Sequence, residues 1–156
     1  MTDSQPKQII CAVRGGAESR DTVSRAIQLA LETGARLTFL HVMDAEFLQY
    51  ATIGPLSVVY NELLEMGTFA MMILRDRAQR RGVTDVDYVV REGSIRKQLF
   101  QFAVATHAEV LVVGYPTRSS GRNVFEADEM DAFVTELERD AHIQVIQVKS
   151  ANAARQ

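Results

Sequence analysis

The stretch REGSIRKQLFQFAVATHAEVLVVG, residues 91–114, holds the decisive pattern. Gly93-Ser94 opens a helix, with Ser94 as its expected N-cap. Ile95, Leu99, Phe102, Ala103 and Thr106 then recur at helical spacing on one face. Val110 to Val113 is the most apolar short run of the chain and ends at Gly114. Four apolar residues without alternation suit a strand covered on both faces, at the centre of a parallel sheet.

The same alternation extends in both directions. Upstream, Ile9 to Val13 is a second continuous apolar run, broken by Arg14, Gly15 and Gly16. A helix follows with Val23, Ala26, Ile27, Ala30 and Leu31 as its stripe, Ser19 as N-cap and Gly34 as its C-terminal stop. Leu37 to Met43 reads as another buried strand. Asp44 to Ser57 has no clear period and contains Gly54-Pro55, so a loop is expected there. A long helix is predicted from about Val58 to Arg81, ending at Gly82, with Leu63, Met66, Ala70, Leu74 and Arg77 along one stripe. Val86, Tyr88 and Val90 alternate, as in a strand nearer the sheet edge. Downstream, Tyr115 to Phe125 is a polar loop, and Met130, Phe133, Val134, Leu137 and Ala141 mark a last helix. Ile143, Val145 and Val148 belong to a final strand whose alternation with Gln144 and Gln147 suggests an edge. The order β-α-β-α-β-α-β-α-β implies an α/β fold, a parallel sheet with helices on both faces.

With 156 residues, 47% of them apolar and 24% charged, the chain suits one soluble globular domain. The expected organisation is a flexible N-terminus (1–6), a domain (7–149) and a flexible C-terminus (150–156). A net charge of −3 provides no basic field for nucleic acid. No apolar stretch approaches the ~20 residues of a membrane helix. A secretory leader pattern is absent and Cys11 is the only cysteine, so a cytoplasmic location without disulfides is expected.

No catalytic constellation emerges. His41, His107 and His142 share no metal-ligand spacing. Ser119-Ser120 lacks a nucleophile elbow, and Gly15-Gly16 lacks the rest of a dinucleotide fingerprint. The chain is therefore expected not to be an enzyme.

Two segments carry a family resemblance: Lys7 to Val42, with its apolar strand, small-residue turn, Ala26, Ala30 and "TGARLTFLHV", and the 91–114 stretch with "AEVLVVG". Together they resemble the universal stress protein family, over nearly the whole chain. The resemblance implies a five-stranded sheet in the order 3-2-1-4-5, of the adenine nucleotide alpha hydrolase-like type. It also implies a homodimer joined through the last strand. Many family members bind ATP through Gly-x-x-Gly after strand four and a later Gly-Ser or Gly-Thr. Here Gly114 matches the first glycine, but Thr117 replaces the second and no Gly-Ser follows at the counted positions. Arg14 stands where the family's ATP binders carry Asp. These departures argue against ordinary ATP binding and leave the cofactor unassigned.

Ligands of open parallel sheets bind beyond the carboxyl ends of the strands, at the switch point. The residues expected there are Val13, Arg14, Gly15, Val42, Met43, Gly114, Thr117, Arg118, Ser119, Gly121 and Arg122. Arginine forks and helix N-termini suit an anionic small molecule. The expected function is a regulatory, ligand-binding module of the stress response. The rival readings are a nucleotide switch that holds ATP or AMP through a modified loop, with at most slow hydrolysis, and an adenylating or electron-transfer enzyme of related topology.

Overall fold

A computed structural model of the chain describes residues 6–14, 19–44, 55–114 and 127–149. Strands and helices alternate: β1 (Gln8–Ala12), α1 (Ser19–Thr33), β2 (Arg36–Asp44), α2 (Pro55–Arg81), β3 (Val86–Gly93), α3 (Ile95–Ala105), β4 (Val110–Gly114), α4 (Ala127–Asp140) and β5 (Gln144–Val148). The strands form one parallel sheet, as the sequence pattern implied, in the order β3-β2-β1-β4-β5, as the resemblance implied.

Strand position follows strand composition. Ile9, Ile10 and Cys11 of β1 are fully buried, as are Leu111 and Val112 of β4. β3 and β5, with polar residues interleaved, are the half-buried outer strands. Because side chains alternate across a strand, each inner strand feeds two cores. Ile9, Cys11, Leu37, Phe39, Val110 and Val112 pack with α1 and α2 on one face. Ile10, Leu40, Leu111 and Val113 pack with α3 and α4 on the other.

Three local expectations need correction, and a fourth, the N-cap at Ser94, holds in position alone. Leu31, assigned to the inward stripe of α1, is 46% exposed, and Thr22 is buried in its place beside Val23. Ser19 is the first helical residue of α1. Ser94 occupies the N-cap position of α3, but its hydroxyl makes no capping bond. The largest departure concerns α2. It begins at Pro55, where a fixed φ and a missing N–H suit the first helical position. Its buried residues are Met71 and Ala78, whereas Leu63, Met66, Ala70 and Arg77 of the expected stripe face outward. α2 is apolar around most of its girth, so periodicity could not choose its inward face.

Helix ends follow the expected chemistry more closely. Gly34 adopts φ +73° after α1, and its N–H donates to the Ala30 carbonyl at 2.8 Å. At the end of α3, Thr106 Oγ1 donates to the Phe102 carbonyl at 2.7 Å, and His107 takes the left-handed conformation at φ 55°.

Candidate functional site

β1 is the strand from which the chain departs in both directions across the sheet, so the crevice expected of open parallel sheets would lie beyond the carboxyl ends of β1 and β4. Pairing of Cys11 with Val112 and of Ala12 with Leu40 sets the register. Continued by two residues, it places Val13 level with Gly114; continued by one, level with His41. Val13 is buried and its N–H still bonds to the Leu40 carbonyl at 2.8 Å. Arg14, the next residue, is exposed. Val42, Met43 and Gly114 are half-buried around this point. Gly15, Thr117, Arg118, Ser119, Gly121 and Arg122 lie outside the described residues. So does the whole polar loop from Tyr115 to Phe125, expected to carry two of the three anion-binding arginines.

His41 is the residue that the sequence reading missed. Its Nδ1 lies 2.8 Å from the Val13 carbonyl oxygen. A carbonyl only accepts, so Nδ1 is the donor and Nε2 of the neutral ring is left as an acceptor. The imidazole thereby takes over the backbone group that the sheet stops pairing, and fixes the end of β1 at the mouth of the crevice. α2 covers the ring at Gly67, where an added Cβ would stand 3.1 Å from His41 Cδ2 and 3.4 Å from Nε2. A histidine two residues before the end of a buried run, with a glycine in a facing helix, was the available signal. Only the tertiary contact gives it meaning.

Gly114 has a similar role on the other side. A Cβ there would meet Thr22 Oγ1 at 3.1 Å, so the glycine lets the first turns of α1 lie close against the end of β4. This brings the N-terminal part of α1, and its share of the helix dipole, toward the crevice. Asp21 stands in that first turn.

Beyond β2, the register pairs Val42 with Arg91 and Met43 with Glu92. The Arg91 guanidinium stacks 4.8 Å from the Phe102 ring centroid, which holds it on the α3 side. Tyr60 of α2 stands beside Glu92. Burial first, and then the Glu92 carboxylate, push its phenol up to about 12.

Nucleophilic chemistry finds little support among the described residues. The Cys11 side chain is fully buried in the central strand, and desolvation pushes its thiol far above the ordinary range. No cluster of three or more metal-ligating side chains occurs among them. No helix of the described residues is long and apolar enough to cross a membrane. An open groove between α3 and α4 is lined by Arg96, Asp131, Thr135, Glu136, Arg139 and Asp140. Arg96 is bonded to Glu136 and Arg139 to Asp140, each at 3.0 Å, so four of the five charges lining it are paired with one another.

Comparison with known proteins bears on this geometry. Residues 6–150 match the family model described as the universal stress protein family. Sequence comparison with curated proteins finds no match. Among solved structures, the universal stress protein UspA from Lactobacillus plantarum superposes with a TM-score of 0.67 at 16% identity, covering 92% of this chain and 97% of that one. A universal stress protein in complex with cAMP gives 0.62 at 22% identity, covering 95% and 100%. A universal stress protein family protein from Arabidopsis thaliana with AMP bound gives 0.55 at 18% identity, covering 96% and 99%. At these identities the likeness establishes the fold.

Proposed function

The chain belongs to the universal stress protein family, and on that premise we propose that it is a non-catalytic, ligand-binding regulatory module of the stress response, acting as a cytoplasmic homodimer. The observation that carries the reading is the set of chain elements at the switch point: the end of β1 anchored by His41, the exposed Arg14 that follows it, and the approach of α1 at Gly114. A positive side chain beside a helix N-terminus favours a phosphate-bearing or carboxylated small molecule. Thr117 in place of glycine, the missing Gly-Ser and Arg14 in place of Asp weaken ordinary ATP binding. A nucleotide switch with a modified phosphate loop is the second reading, favoured by relatives solved with cAMP and with AMP.

Mass spectrometry of small molecules that copurify with the protein separates the two readings, followed by titration calorimetry with AMP, cAMP and magnesium-ATP. Micromolar ATP affinity would overturn the first reading. Charge-assisted hydrogen bonds contribute about 1.5–3 kcal/mol each, so Arg14→Ala is expected to weaken a phosphate-bearing ligand ten-fold or more with the fold intact.

The proposed dimer contact is β5. It is the outer strand of the sheet, with Val145 and Val148 half-buried, and an open edge invites pairing. Light scattering at tens of micromolar tests it, with Val145→Pro as the disrupting variant.

A further inference from the structure

The outward face of α2 is built for a partner. Val59, Leu63, Met66, Ala70 and Ile73 are all exposed and follow one another at intervals of four, three, four and three residues. That interval is the seam of a two-helix contact, sustained over four turns. Phe69 at 63% exposure, Met72 at 41% and Val58 at 58% widen it. A contiguous apolar patch of this kind on a globular domain marks an interaction surface.

The charges flanking the seam select the occupant. From Pro55 to Ala70 the helix carries Glu62 and Glu65 and no basic residue; from Met71 to Arg81 it carries Arg75, Arg77, Arg80 and Arg81 against the single acid Asp76. We infer that a second copy of this chain docks here, its α2 antiparallel to the first about a twofold axis near Ala70. In that arrangement the acidic half of each helix lies along the basic half of the other, the apolar stretch from Met66 to Ile73 meets its own copy, and Val59 and Leu63 lie against the stems of Arg81 and Arg77, as an isologous contact permits. Met66 then faces Ile73. Glu62 comes within reach of Arg77, and Ala70 is small enough for the two backbones to approach. The charge gradient also suits the helix's own dipole, but the dipole demands no apolar seam between the charges. A lipid surface fits less well, because interfacial helices carry basic residues along the polar face and this seam is flanked by acids over its first half.

α2 packs over β2 and β3, at the sheet edge opposite β5. The α2 contact and a β5 contact therefore do not compete, and each can fail alone.

Size-exclusion chromatography with multi-angle light scattering at tens of micromolar tests the inference on the wild type, on Met66→Glu/Phe69→Glu and on Val145→Pro. Both contacts together would join β5 dimers into a larger assembly, so the α2 variant is expected to lower the mass to that of the species β5 alone supports while circular dichroism stays unchanged; Val145→Pro is expected to leave the α2 dimer in place. Orientation is read with cysteine variants. Ala70→Cys is expected to form disulfide-linked dimers on mild oxidation, and Val59→Cys is not, because antiparallel helices carry the Val59 positions far apart. If Met66→Glu/Phe69→Glu unfolds, the cysteine pair decides alone. Wild-type mass unchanged by a folded Met66→Glu/Phe69→Glu variant overturns the inference. Crosslinking of Val59→Cys without Ala70→Cys does so too, as does a monomer that floats with phosphatidylcholine vesicles.

Discussion

α1 and α2 cover the same face of the sheet, yet they are built on different rules. α1 buries Thr22, Val23, Ala26, Ile27 and Ala30 as one continuous stripe. α2 is nearly twice as long, and its fully described part buries Met71 and Ala78 while exposing Val58, Val59, Leu63, Met66, Phe69, Met72 and Ile73. In α1 the apolar pattern selects the inward face. In α2 small residues mark the closest approaches: Gly67 fits over His41 and Ala78 fits against the sheet, Met71 is buried between them, and most of the other large side chains are left outside. A helix with apolar residues on every side reports its amphipathicity poorly, and the closest backbone approach then decides its rotation.

A matched pair of substitutions breaks the comparison most sharply. Met71 and Met66 share a helix and a residue type but are 1% and 66% exposed. Met71→Ala should destabilise the fold by about 2–4 kcal/mol, in the range of buried Met truncations. Met66→Ala should stay within about 0.5 kcal/mol, as surface changes do. Urea denaturation at submicromolar protein, where self-association does not contribute, measures both. Equal losses would mean that α2 is rotated from the described face. Ile27→Ala in α1 extends the series, and a loss matching that of Met71→Ala is expected from its complete burial.

Gly67→Ala should have an intermediate effect. Alanine favours the helix by about 0.8–1.0 kcal/mol over glycine. Its Cβ, however, would press on an imidazole that is tied to the Val13 carbonyl and has little room to retreat. Overpacking of about 1–3 kcal/mol should win, giving a net loss near 1 kcal/mol. A displaced His41 ring resonance in NMR should accompany it. A gain in thermal stability would show that the ring moves freely.

The smallest effect concerns the first turns of α2, where Tyr60 stands beside Glu92. Its phenol is raised from 10.0 to about 12 in the folded state. The unfolded chain would therefore lose this proton first, and the stability that the group supports is complete below pH 10 and declines as pH rises toward about 12. Ultraviolet difference titration of wild type against Tyr60→Phe isolates this phenol from the other three. Glu92→Gln should lower its midpoint modestly, since burial is the larger cause.

The sheet was readable because its inner strands are short unbroken apolar runs, and such runs have few ways to be buried. Val110 to Val113 and Ile9 to Val13 pointed to the central strands before any contact was known, and the alternation at Val86, Tyr88 and Val90 pointed to an edge. Leu31 misled because leucine continues the α1 stripe by spacing, although the threonine nine residues earlier is the one that the sheet covers. Near the candidate site, the positions of Arg14 and Gly114 at strand ends were readable from the sequence. His41 was not, because its role depends on a carbonyl twenty-eight residues away and a glycine in another helix. As ligand contacts all eleven residues stay expectations from the sequence, and six of them lie outside the described residues.

Burial of Cys11 in the central strand has a practical consequence. The thiol is unreachable unless the layer of α1 and α2 lifts from β1, and that layer covers the centre of the sheet. Its rate of modification by an alkylating reagent therefore reports the opening of the whole domain rather than local fraying. The chain carries one sulfhydryl, so the reaction yields a single mass increment per molecule. Pulsed alkylation read by mass spectrometry can follow the unfolded fraction in dilute solution or in crude lysate, without a fluorophore and without a tryptophan, which the chain lacks.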